Sequence, residues 1–362
     1  MKKLFLLYLP FTLMLIGLPL AGVTLAGKPL DSYLEFPPIT RYVQHAPFSW
    51  LAFGCISMLI VIAVAPFVYF VRRSRHTVPH SQRSVCAFPW WGWAGIVVVL
   101  ATWCLAWNRF IWFEPFQAFT FTPLWLGYIL AISGLTLKRA GHCTLRDNTG
   151  FFVALFPLSA AFWWFFEYLN RFVQNWYYIG AGELSAWEYF WQATLPFSTV
   201  LPAVLATREW LATYPRLSAG LATGWHLPLL EPRLTAAFML LFAAIGLGGI
   251  GVWPDLLYPL LWLAPVLIIV SLQLLLGEKT LIDAPARGDW RLIWQAALAA
   301  LICGFFWELW NYKSVPRWEY SIPLVHRLEI FHMPLLGYAG YLPFGLGCIA
   351  MASLIKPTIL DE

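Results

Sequence analysis

The chain has 362 residues, 60% of them hydrophobic and only 11% charged. A soluble domain carries roughly 25% charged residues, so this composition excludes a solvated globule and favours segments of the ~20 apolar residues that cross a bilayer. The net charge of +5 is read by where Lys and Arg fall between apolar runs, and it is no footprint of nucleic acid.

In chain order, the apolar runs predict ten helices, near 4–26, 49–71, 91–108, 120–137, 151–170, 189–207, 234–253, 256–276, 292–311 and 333–355. The first follows two lysines, yet it exceeds the roughly 7–15 apolar residues of a signal peptide and has no A-x-A site after it, so it is expected to be retained. Within 234–253, Gly246-Leu-Gly-Gly-Ile-Gly251 reads as a seam for close helix contact rather than a phosphate loop. Alternating the connections puts 16 of the 23 Lys and Arg on one side, including Arg72, Arg73 and Lys138, against 7 on the other. The richer side is expected to be cytoplasmic, with both termini there. The expected fold is therefore all-α, a polytopic integral membrane protein of the inner (cytoplasmic) membrane, because only helices satisfy their own backbone groups in lipid at such lengths. The aromatic- and proline-containing outer connections Pro29–Trp50, Gln174–Trp187 and Tyr312–Met333 are expected to cap the bundle at the interface.

Three helix ends read alike: Leu105-Ala-Trp-Asn108-Arg109, Glu167-Tyr-Leu-Asn170-Arg171 and Glu308-Leu-Trp-Asn311-Tyr-Lys313. Each is followed by an aromatic loop and a returning helix with an early proline, at Pro123, Pro196 and Pro334. This implies hairpin repeats over 91–150, 151–232 and 292–362, with a two-helix region over 1–90 and a divergent pair over 233–291. Parallel repeats of this kind can surround a central cavity.

Glu167 and Glu308 stand in the last turn of apolar helices. Lost hydration and the negative end of the helix dipole both disfavour their charged form there, so they are candidate proton donors. Asn170 and Asn311 share their faces and are candidate substrate-binding partners. The bland alternative pairs each acid with Arg171, Lys313 or a neighbouring repeat as a structural lock. Trp164, Phe166, Trp307 and Trp310 belong to clusters that suit a polyene or isoprenoid chain or a developing cation, or simply an aromatic belt. Glu188 opens a helix and is a third acidic candidate. His326, His332, His76 and His80 lack a third ligand at metal spacing, and the six cysteines read as small buried residues, so no metal or other cofactor is expected.

The segment Phe306-Trp307-Glu308-Leu309-Trp310, then Trp318-Glu-Tyr320 and Pro334-Leu335, resembles the lycopene cyclase domain family. Leu184-Ser-Ala-Trp-Glu188 with Pro196 looks like a second, degenerate copy. The resemblance implies tandem helical repeats and acid-catalysed cyclisation of a carotenoid. The family's two signature carboxylates are replaced here by Leu336 and Gly337. Three functions follow as expectations: an enzyme protonating a membrane-lipid or isoprenoid substrate, a transporter of a lipid-like or small organic molecule, or a non-catalytic membrane partner.

Overall fold

The computed structural model of the protein describes residues 2–36, 40–78, 85–180 and 184–361. The expectations placed on His80, on Arg83 as one of the 16 cations of the richer side, and on the side chains of Lys2 and Lys3 lie outside the described residues. The principal helices are α1 (Lys2–Leu25), α2 (Trp50–Ser74), α3 (Trp90–Trp107), α4 (Phe121–Ala140), α5 (Thr149–Val173), α6 (Ala186–Phe197), α7 (Val200–Ala212), α8 (Pro232–Val252), α9 (Leu260–Leu275), α10 (Arg291–Asn311) and α11 (Tyr341–Ser353). Among the described residues, eight helical stretches are long and apolar enough to cross a membrane, and α9 is a shorter apolar helix.

Helix limits follow local chemistry. Ser49 caps α2 by accepting from the Ala52 amide, and Arg72 and Arg73 close its last turn, where cations suit the dipole. Gly141 ends α4 at φ +80, its N–H returning to the Leu137 carbonyl. The helix expected over 189–207 is instead two, α6 and α7, because Pro196 cannot continue the ladder. The groups freed by the break are satisfied from α5: the Ser159 hydroxyl donates to the Phe197 carbonyl at 2.6 Å and accepts from the Leu201 amide at 2.9 Å. A broken helix is tolerated in an apolar setting only with such repair. The helix expected over 333–355 likewise opens as a 3-10 turn, Leu335–Gly340, before α11.

Glycine sets the closest helix contacts. A Cβ at Gly22 of α1 would stand 1.9 Å from the Gly248 carbonyl oxygen of α8, and one at Gly251 would stand 2.6 Å from that of Pro19. The Gly246–Gly251 run is thus a packing seam. Around α7, α9, α10 and α11 lies the interior, where Leu201, Ile268, Ala299, Phe344 and Ile349 are fully enclosed. The exterior is apolar too. α2 buries no residue, and Met58, Leu59, Phe238, Leu241 and Ile245 all face outward. Helices that are apolar all round suit lipid as the surrounding solvent.

Two features depart from expectation. Cys55, Cys86 and Cys104 are exposed rather than buried, while Cys143, Cys303 and Cys348 are enclosed. The loops after α5 and α10 also do more than cap: they carry β1 (Trp176–Ile179) and β2 (Arg317–Tyr320), paired antiparallel with Trp176 opposite Tyr320 and Tyr178 opposite Trp318. A smaller pair joins β3 (Glu329–Ile330) and β4 (Met333–Pro334).

Candidate functional site

The site is built from the ends of α5 and α10. Asn170 is fully enclosed: its Nδ2 donates to the Trp176 carbonyl at 2.7 Å, and its Oδ1 accepts from the Asn175 and Trp176 amides at 2.8 and 3.3 Å. Asn311 repeats this on the other strand, donating to the Trp318 carbonyl at 2.7 Å and accepting from its amide at 2.8 Å. Each amide thereby fixes the tryptophan of a Trp-x-Tyr strand. Residues two apart on a strand share a face. The tyrosine of each strand is therefore returned to the helix that launched it.

Tyr178 donates to Glu167 Oε1 at 2.6 Å, joined there by the indole N–H groups of Trp163 at 3.1 Å and Trp176 at 3.2 Å. Tyr320 donates to Glu308 Oε1 at 2.6 Å, and Tyr341 of α11 adds a second phenol at 2.7 Å. Both carboxyl groups are completely enclosed, and in each the second oxygen is buried without a hydrogen-bond partner. The cations expected as partners are engaged elsewhere. Arg171 donates to the Tyr33 carbonyl, and the Lys313 ammonium lies 5.4 Å from the centre of the Trp107 ring. Burial, then the neighbouring Glu167 or Glu308, pushes the Tyr178 and Tyr320 phenols well above their ordinary value of 10.0. They remain hydroxyl donors throughout the physiological range.

Between the two strands and the helices behind them lies one cavity of about 160 Å³. Its walls include Trp163, Trp176 and Tyr178 from one half and Trp307, Tyr320 and Tyr341 from the other. Neither glutamate lies on the wall; each stands behind its tyrosine. The arrangement offers an apolar, π-rich chamber lined, among the described residues, by four tyrosines, of which Tyr178, Tyr320 and Tyr341 are each backed by an enclosed acid and Tyr189 is not hydrogen-bonded to one.

Of the residues singled out from sequence, Trp307 reaches the chamber directly. Asn170 and Asn311 do not: their amides are consumed by backbone, which makes them strand caps. Phe166 is buried in a stack on Trp262, Trp310 packs edge-on against Trp125, and Trp164 donates to Thr194 and stacks on Phe190. Glu188 is exposed and occupied as a helix cap, its Oε2 accepting from the Ser185 amide and hydroxyl at 2.9 and 2.7 Å. That reciprocal capping box accounts for the glutamate three residues after a serine by local structure.

Tyr178 and Tyr341 stand outside the residues singled out from sequence, and Tyr320 enters there only within Trp318-Glu-Tyr320, although a signal for all three is present. Glu-x-x-Asn is followed by Trp176-x-Tyr178 in one loop and Trp318-x-Tyr320 in the other. Thr194-Leu-Pro196-Phe197 and Tyr341-Leu-Pro343-Phe344 then mark the returning helices. The first of the three similar helix ends lacks this build. Asn108 is exposed and folds back on the Cys104 carbonyl, and a 3-10 helix, Ile111–Phe119, follows in place of a strand. Among the described residues no group of three or more His, Cys, Asp or Glu could hold a metal ion. His326 meets the Ile322 amide and Glu329, while His332 meets the Tyr312 carbonyl. Comparison with family models, with curated proteins and with solved structures found no match to this chain.

Proposed function

We propose that the protein is a membrane-embedded enzyme that takes an apolar, isoprenoid-class chain into the aromatic chamber and protonates it. The observation that carries this reading is the convergence of two enclosed acids, each without a cationic partner among the described residues, on tyrosines that share one cavity. In the proposed step Glu308 is in its protonated form: the phenol hydroxyl of Tyr320 or Tyr341 turns from Glu308 Oε1 to a substrate double bond and passes its proton there, while the Glu308 carboxyl gives its own proton to the phenol oxygen and is left as a carboxylate. The cation so formed faces Trp307, Trp163 and Trp176, whose ring faces stabilise positive charge and exclude water. Tyr178 and Glu167 form the second, pseudo-equivalent donor pair.

The same reading includes ten membrane spans, counting the broken α6–α7, the α9 region and the Leu335–Ser353 stretch. It also includes an origin of the α5–α7 and α10–α11 segments by duplication, and a cytoplasmic-membrane location with both termini inside. The resemblance of the Trp307–Trp310 segment to lycopene cyclase domains supports the substrate class. The loss of that family's paired carboxylates moves the proposed acid to Glu308.

The test is turnover by the full chain in lipid nanodiscs with added polyenes and prenyl chains. Glu308→Gln, which keeps an oxygen for Tyr320, should lower turnover by about two orders of magnitude or more while the melting temperature stays within a few degrees. Unchanged turnover in that variant removes the proposal.

One observation favours a second reading. Glu167 Oε1 is saturated by three donors, two of them from its own return strand, which is the geometry of a latch holding β1 against α5. Under that reading Glu167→Gln together with Glu308→Gln lowers stability and nothing else.

A further inference from the structure

Beside the aromatic chamber lies a second hollow of about 440 Å³, lined by Trp107, Arg109, Tyr312, Lys313, Arg317 and His332. The two hollows share a wall. Ser314, Val315 and Pro316 face the chamber, Tyr312 and Lys313 face the second hollow, and Arg317 belongs to both. The ends of α3 and α10 are tied together here, since Arg109 Nη2 donates to the Lys313 carbonyl at 2.6 Å.

The second hollow is cationic. Arg109 is bonded to backbone carbonyls, and the Lys313 ammonium lies against the Trp107 ring. Arg317 is paired with Glu319 at 2.8 Å, and that carboxylate is not on the wall of the hollow. A single cation two residues past a helix end is explained by the helix dipole. That accounts for Arg109 and Lys313 one at a time. It does not account for their meeting Arg317 and His332 around one open hollow with no acid on its wall among the described residues.

Resting on the isoprenoid reading above, we infer that the ligand is an isoprenoid with an anionic phosphate or diphosphate head, its tail in the aromatic chamber and its head on Arg109, Lys313 and Arg317. Guanidinium and ammonium groups together recognise phosphate oxygens by charge-assisted hydrogen bonds, and His332 supplies a further polar edge. The shared Arg317 places the head at the mouth of the chamber, so that one molecule can occupy both hollows. A neutral carotene would leave the cationic hollow without a role.

The experiment measures binding by tryptophan fluorescence to the full chain in uncharged lipid nanodiscs. The probes are geranylgeranyl diphosphate, geranylgeraniol, inorganic diphosphate and a short-chain phosphatidic acid. The diphosphate ester is expected to bind roughly tenfold or more tightly than the alcohol, with the difference shrinking as salt rises. Arg109→Gln with Lys313→Gln should erase that difference and leave alcohol binding intact, while Trp307→Ala weakens both. Equal binding of ester and alcohol overturns the head site but leaves the isoprenoid reading standing. Phosphatidic acid matching the ester overturns the isoprenoid tail, marking instead a general lipid-headgroup site. Inorganic diphosphate matching it marks a free-phosphate site and likewise overturns the inference. Failure of every isoprenoid to bind removes the isoprenoid reading itself.

Discussion

At the scale of single residues, the chamber wall carries hydroxyls that no charge pattern announces. Glu167 and Glu308 attract attention because ionisable groups in apolar helices are rare, yet the acid-backed groups on the cavity wall are Tyr178, Tyr320 and Tyr341. Tyr320→Phe with Tyr341→Phe should therefore abolish turnover as thoroughly as Glu308→Gln, although both carboxyl groups remain; product formation by the double variant would show that the phenols are not the donors. The asparagines belong to structure. Asn311→Ala strands the amide and carbonyl of Trp318 and should cost about 1–3 kcal/mol, read as a lower melting temperature in detergent. An unchanged melt would mean that β2 is held by its pairing with β1 alone.

At the scale of elements, helix breaks and glycine seams decide where side chains arrive. The α6–α7 break sets Pro196 and Phe197 on the chamber wall, and Ser159 alone satisfies both groups freed there. Ser159→Ala should destabilise the protein by about 1–3 kcal/mol and loosen that wall; hydrogen exchange at the Leu201 amide would report it, and unchanged protection would show that the break repairs itself. At Gly22 the backbone of α1 lies directly against the Gly248 carbonyl of α8, leaving no room for a Cβ. Replacing Gly22 with leucine should drive α1 from its groove, with a measurable fall in melting temperature, because the obstacle is backbone carbonyl rather than a flexible side chain. The strand pair shows why such elements escape local inspection. β1 and β2 lie about 140 residues apart, so no turn between them signals the pairing, and each Trp-x-Tyr alone is too short to read as a strand.

At the scale of the whole molecule, the proposed topology makes one prediction of its own. Single cysteines at Lys279 and Arg327, in a background free of native cysteine, should be labelled by a membrane-impermeant thiol reagent from opposite faces of sealed vesicles. Labelling of both from one face would overturn the span count. The sequence by itself determined that the chain is helical and apolar, where nearly all its long helices run, and that two glutamates stand at equivalent helix ends. Those properties are local: hydropathy over ~20 residues and the spacing of a few side chains carry them. The tertiary structure decided what the glutamates touch, which of the expected aromatics meet a cavity, and that Glu188 is spent on a cap. Those outcomes depend on strand pairing and helix contact between distant segments, which neither composition nor periodicity records.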